Sequence, residues 1–167
     1  MDRSQLQAVQ APLKARYTDD PAAALVTLRA EGQLGQEEIA CTVATGRALV
    51  EAGLHPATGG TGLLACSGDM LLQALVACAG VTLSAVATAL GFEVGGTVHA
   101  EGDLDFRGTL GVAKDERVPF GFRTIRLRFD LDHALTDEQL STLLRLTERY
   151  CVVYQTIAGG VPVEVSF

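Results

Sequence analysis

Apolar and polar positions along the chain repeat with two different periods. Val26, Leu28 and Ala30 alternate with Thr27, Arg29 and Glu31, and Ile39, Cys41 and Val43 alternate with Ala40, Thr42 and Ala44. A two-residue period predicts strands. Residues 32–36 (GQLGQ) between them predict a hairpin connection, and residues 52–62 (AGLHPATGGTG) a Gly-rich loop. The period of two returns at Val94, Val98 and Ala100 against Glu93, His99 and Glu101. It is cleanest where Ile125, Leu127, Phe129 and Leu131 alternate with Arg126, Arg128, Asp130 and Asp132, the signature of an antiparallel sheet with one wet face. Val161, Val163, Val165 and Phe167 predict a closing strand, which Pro162 assigns to a sheet edge.

Helical segments interrupt these strands. Met70 to Gly91 carries no charge, with Ser67 placed as an N-cap, Asp69 in the first turn and Gly91 as the stop. Such a run is long enough to cross a bilayer. Gln73, Thr82, Ser84 and Thr88 dilute it, however, and its flanks offer Asp69 and Glu93 rather than Lys or Arg. The expectation is a helix buried on all sides, with no membrane partner. Its small residues (Ala74, Ala77, Ala79, Gly80, Ser84, Ala85) allow another helix to approach closely, and one short chain has little mass to cover it, which points to a partner subunit. Thr136-Asp137-Glu138-Gln139 forms a capping box, with Leu135 and Leu140 as a hydrophobic staple and Leu140, Leu143, Leu144 and Thr147 on the buried side. Cys151 opens a short helix, or the last turns of the same one, stopped by Gly159-Gly160. Residues 1–21 read as an arm or short helix that Pro12 kinks and Asp19-Asp20-Pro21 ends, and residues 22–167 as a single domain. Strands precede and follow the long helix without βαβ repetition, so the fold class is α+β.

Composition narrows the function. At 167 residues and 17.5 kDa, with 48% hydrophobic residues, the chain suits one domain or one intertwined protomer. The formal charge of −7 and a pI near 4.9 leave no basic stripe, so no nucleic-acid partner is expected. No secretory leader is evident, and the expected location is the cytoplasm, where thiols start reduced. His55, Cys66 and His99 lack a zinc spacing and there is no C-x-x-C, so no metal is expected. Gly59-Gly60-Thr61-Gly62 lacks the Lys-Ser/Thr of a phosphate cradle and reads as a turn. His55 reads either as lining a site or, more commonly for such a residue, as a surface-loop histidine, Cys41 as packed on a strand, and Cys66, beside the helix cap, as a third thiol if it is exposed. Arg123, Arg126 and Arg128 form the wet face of a strand, balanced by Asp130 and Asp132. Cys78, midway along the apolar helix, is either a small core hydrophobe or a reactive thiol. Cys151 is either packing or a thiol at a helix N-terminus, where the dipole favours thiolate.

The segment SGDMLLQALVACAGVT resembles the core-helix motif of the OsmC/Ohr family, in which an acidic residue and a Leu/Ala run lead into a cysteine. Cys151 in RYCVVYQT stands where that family's second cysteine opens a late helix, and the likeness covers roughly residues 22–167 in element order. The resemblance implies an OsmC-like fold of antiparallel sheets about a long central helix, an intertwined homodimer, and an enzyme without cofactor that reduces organic hydroperoxides or hydrogen peroxide. It makes Cys78 the peroxidatic thiol and Cys151 the partner that closes a disulfide, which a dithiol (lipoyl-type or other) then reduces. It also implies an arginine from the N-terminal hairpin, held by an acidic residue at the start of the core helix. Arg29 is the candidate, with Arg16 and Arg47 as alternatives, and the acidic position falls on Asp69 or Gly68. Val152 follows the second cysteine where the family often has Pro. The rival expectation is a non-catalytic OsmC-like binding or structural protein whose cysteines only pack. The peroxide, the reductant and the choice of arginine are not set by the residues.

Overall fold

The computed structural model describes residues 2–5, 7–8, 10–11, 32–34, 40–44, 49–110 and 118–167, with backbone alone at 32–34 and 40–44. The strand expected at Val26–Ala30 and the residues around Pro12 lie outside these. Two compact units emerge: one of Met1–Thr27, Ala74–His99 and Arg128–Phe167, the other of Leu28–Gln73 and Ala100–Leu127.

In the second unit, β1 (Gly32–Leu34) pairs antiparallel with β2 (Ala40–Ala44), Gln33 opposite Thr42. β1 thus occupies residues expected to form the connection. The ladder to β2 satisfies their backbone groups, and that outweighs the turn preference of Gly and Gln. β2 pairs antiparallel with β3 (Leu49–Gly53), which pairs in parallel with β4 (Ala65–Cys66). The Gly-rich loop therefore begins after Gly53, not at Ala52. It holds one 3-10 turn, Pro56–Thr58, in which His55 Nδ1 accepts the Ala57 N–H at 3.0 Å.

Helix α1 (Ser67–Leu90) starts on Ser67 itself, directly after β4, so Ser67 is its first residue rather than its cap. It ends in a Schellman motif: Gly91 has φ 74, its N–H reaches Thr88 O at 3.2 Å, and the Phe92 N–H reaches Ala87 O at 2.9 Å. Leu75, Ala79, Leu83 and Ala87 form its buried stripe. Around Leu83 and Ala87 the core of the first unit gathers Leu143, with Phe92, Phe129, Leu131 and Leu135 packed on it. By length and composition α1 could cross a membrane, yet this stripe is the core of a folded unit. The opposite side is open, with Val81 72% exposed. Burial on all sides is thus not what one chain achieves.

β5 (Val94–Leu104) and β6 (Phe122–His133) form a two-stranded sheet, with the short α2 (Phe106–Thr109) after β5. Gly96, at φ 118, lies where a Cβ would come within 2.1 Å of Asp130 O, so the strands meet closely there. The arginines on the wet face of β6 are balanced mainly across the sheet. Arg126 pairs with Asp103 and Glu101, Arg123 reaches Asp105 at 3.8 Å, and Arg128 meets Asp130 at 2.8 Å. The Arg107 guanidinium beside Asp105 holds that carboxyl at about 2. No ion pair involves Asp132 among the described residues.

Helix α3 (Asp137–Tyr150) carries the expected capping box, Thr136 with Gln139. It buries Leu143 and Thr147, the latter returning its hydroxyl to Leu143 O at 2.8 Å. A separate helix, α4 (Val152–Gly159), follows and is stopped by Gly160 at φ 63. The closing strand does not form. Val161, Val163, Val165 and Phe167 are all exposed, and residues 161–167 pair with no described strand. Alternation alone does not make a strand without a ladder partner, and Pro162 supplies no N–H to one.

Candidate active site

The break between α3 and α4 is one residue wide. Cys151 has φ −73 and ψ 106, extended backbone that ends one helix and starts the next. Its N–H closes α3 on Thr147 O at 2.9 Å, and its Sγ caps α4 by accepting the Tyr154 N–H at 3.5 Å. Sulfur is a weaker acceptor than the oxygens that usually cap helices, so the position suits chemistry better than stability. Cys151 is 1% exposed.

Cys78 comes from the middle of α1 and is half-buried. Its ionisation is influenced by the Cys151 thiol, the backbone of Val153 and Val152, and the Thr82 hydroxyl. The two sulfurs, far apart in sequence, lie in one unit and act on one another's ionisation. Their ionisation is driven in opposite directions. Burial pushes the Cys78 thiol up, but the Val153 amide, the Cys151 thiol, Thr82 and the Val152 amide together outweigh it, and the net shift is down. Burial pushes Cys151 up, and the neighbouring Cys78 charge adds to that against the Tyr154 amide, so its net shift is up. The opposed shifts make Cys78 the thiol that ionises more readily and Cys151 the one that keeps its proton, with both cysteines unbonded.

The other expected residues lie elsewhere. Arg29, Arg16 and Arg47 are outside the described residues. Asp69 is exposed in the first turn of α1, without an ion pair among the described residues. It lines a cavity of about 350 Å³ in the second unit, with His55, Cys66, Phe106 and Phe122. His55 is no free loop side chain: it stacks on Phe106 with ring centroids 4.7 Å apart. Cys66 is half-buried rather than exposed, because β4 packs it at the sheet edge. The Cys41 side chain is outside the described residues, and His99 meets Asp130 at 3.3 Å. Among the described residues no group of three or more His, Cys, Asp or Glu is arranged to hold a metal ion. Sequence reading missed Val152, Val153 and Thr82 as neighbours of Cys78. Thr82 carried a signal, being four residues on along the same helix face. The amides did not, because they matter only once α4 is docked.

The family described as OsmC-like protein matches residues 60–166, more than half of the chain. No curated protein matches significantly. Among solved structures, the chain is similar to an OsmC-like protein from Mycoplasma pneumoniae, at 16% identity and TM-score 0.66, covering 80% of this chain and 89% of that one. It is also similar to an organic hydroperoxide resistance protein from Elizabethkingia anophelis, at 18% identity and TM-score 0.59, covering 81% and 91%. A third is the organic hydroperoxide resistance protein OhrB of Bacillus subtilis, at 21% identity and TM-score 0.54, covering 84% and 97%. At these identities the likeness establishes the fold.

Proposed function

The chain belongs to the OsmC-like protein family, and on that premise we propose that it is a thiol-dependent peroxidase acting on organic hydroperoxides and, less well, on hydrogen peroxide. The observation that carries this reading is that Cys78 and Cys151 act on one another's ionisation within one unit, the first thiol pushed down and the second up. A packing pair would have no need of that difference. Relatives of this fold described as organic hydroperoxide resistance proteins support the substrate class.

The Cys78 thiolate attacks the outer oxygen of ROOH. The O–O bond breaks, RO⁻ leaves and takes a proton to become ROH, and Cys78 becomes a sulfenic acid. Cys151, as thiolate after losing its proton, attacks the Cys78 sulfur. An S–S bond forms and the hydroxyl leaves as water after protonation. An external dithiol, lipoyl-type or other, then exchanges with the disulfide, leaving with its own disulfide and restoring two thiols. The electrons come from sulfur throughout, so no cofactor is required. The arginine that the resemblance implies, Arg29 (or Arg16 or Arg47), comes to Cys78 from the second copy, with Asp69 to hold it. The active form is a cytoplasmic homodimer, in which a second copy covers the open side of α1.

Peroxide consumption with a dithiol reductant tests the reading. Cys78→Ser is expected to fall to the uncatalysed background. Cys151→Ser should still form a sulfenic acid that dimedone traps, without an intramolecular disulfide. Wild-type turnover by Cys78→Ser would leave a non-catalytic OsmC-like protein whose cysteines pack.

A further inference from the structure

The break at Cys151 is spanned by one side chain. In an unbroken helix the Glu148 carbonyl would receive the N–H of Val152, four residues on. Cys151, with ψ 106, leaves helical geometry before that bond can form. The side-chain amide of Gln155 supplies the donor instead, its Nε2 donating to Glu148 O at 2.8 Å. The backbone of the same residue holds the far side of the break, where the Gln155 N–H donates to Cys151 O at 2.9 Å. Gln155 thus grips the last turn of α3 with its side chain and the first turn of α4 with its main chain. One residue before it, the Tyr154 N–H donates to Cys151 Sγ at 3.5 Å. A joint of one residue has two soft dihedrals, and turning either swings α4, and Tyr154 with it, against α3. The Gln155 bridge opposes that motion.

We infer that Gln155 is a positioning residue for Cys151: by bridging the break to Glu148 O it fixes the joint on which the second thiol sits, and so keeps that thiol aimed at Cys78. This rests on the peroxidase reading above, and it deepens it by naming the residue that governs the second step. In that step the Cys151 thiolate attacks the sulfur of the Cys78 sulfenic acid. An S–S bond forms, the S–O bond breaks, and the hydroxide takes a proton and leaves as water. The first step, attack on the hydroperoxide, uses the Cys78 sulfur and makes no demand on the joint. Gln155 therefore acts on ring closure and leaves sulfenic acid formation alone.

The test is a single turnover of the reduced chain with one equivalent of tert-butyl hydroperoxide, sampled over time into dimedone and read by mass spectrometry. The Cys78–dimedone adduct counts the sulfenic acid, and the Cys78–Cys151 linkage counts closure. Gln155→Met keeps the length and helix propensity of the side chain and removes the donor. It should form sulfenic acid at the wild-type rate and close the disulfide roughly two- to tenfold more slowly, the range set by one hydrogen bond. More Cys78 is then trapped by dimedone. Gln155→Glu, of the same shape but with an acceptor in place of the donor, should behave as Gln155→Met does. Gln155→Lys restores a donor and should close at close to the wild-type rate. Hydrogen exchange at the Tyr154 amide of the reduced protein reads the joint without peroxide, and it should be faster in Gln155→Met than in the wild type. Circular dichroism confirms that each variant is folded. Wild-type closure in folded Gln155→Met overturns the inference, as does a first step slowed as much as the second. A wild type that takes up no peroxide overturns the peroxidase reading instead. The Tyr154 amide then decides the joint: faster exchange in Gln155→Met keeps Gln155 as its brace, and equal exchange overturns that too.

Discussion

Cys78 and Cys151 are the same residue in two environments, and the difference between them is made by backbone and hydroxyl groups. The pH behaviour follows with its sign. Cys78 is pushed below the ordinary thiol value, so the peroxide reactivity proposed for it should be complete above its folded midpoint and be lost as pH falls through it. The matching contribution to folding is present above the unfolded thiol value and disappears over the same fall. Cys151 has the opposite sign: its contribution is present below the unfolded value and is lost as pH rises through the folded one. Part of this was legible in the residues. Cys151 does stand at a helix terminus, as read, but the thiolate expected there is not what results, because burial and the neighbouring Cys78 push its thiol up. That Cys78 would meet it was not legible from periodicity, because no local pattern relates the middle of one helix to the start of another. Asp69 shows the reverse case. Its place in a first turn was read correctly, but the structure finds it lining a cavity with His55 and Cys66, and the arginine expected to meet it lies outside the described residues.

Elements with strong local signals were the ones that sequence placed well. Gly91, the Thr136–Gln139 box and the alternation along β6 each satisfy backbone groups within a few residues, so local chemistry decides them. β1, β3 and β4 escaped because they are short and their hydrogen bonds come from neighbours in the sheet. The tail from Val161 failed in the other direction, having strand periodicity without a strand beside it. The site depends on α3, because Leu143 ties the helix that leads into Cys151 to the buried stripe of α1. Leu143 is fully buried. Leu143→Ala should therefore cost about 2–5 kcal/mol and lower the urea midpoint. Leu140→Ala, one turn earlier and only partly buried, should cost clearly less. Equal midpoints for the two would contradict this placement of the core.

At the scale of the whole molecule, apolar surface is left over. One side of α1 exposes Val81, and the C-terminal tail exposes Val163 and Val165 at 86% and 88%. Exposed apolar side chains of this size suit an interaction surface. The proposed homodimer uses it, and light scattering should give twice 17.5 kDa at micromolar concentration; a mass of one chain would contradict it. Composition had already suggested the need for a partner, since an uncharged helix of this length asks for more cover than a chain this small provides. The two-thiol mechanism is tested most directly by stoichiometry. Fully reduced protein receives one equivalent of an organic hydroperoxide without reductant, and thiols and peptides are then counted by mass spectrometry. A two-thiol peroxidase loses two thiols per chain and yields a single new linkage, Cys78 to Cys151, with one equivalent of alcohol released. Peroxide left intact with every thiol still free, or a linkage that omits Cys78, would contradict it.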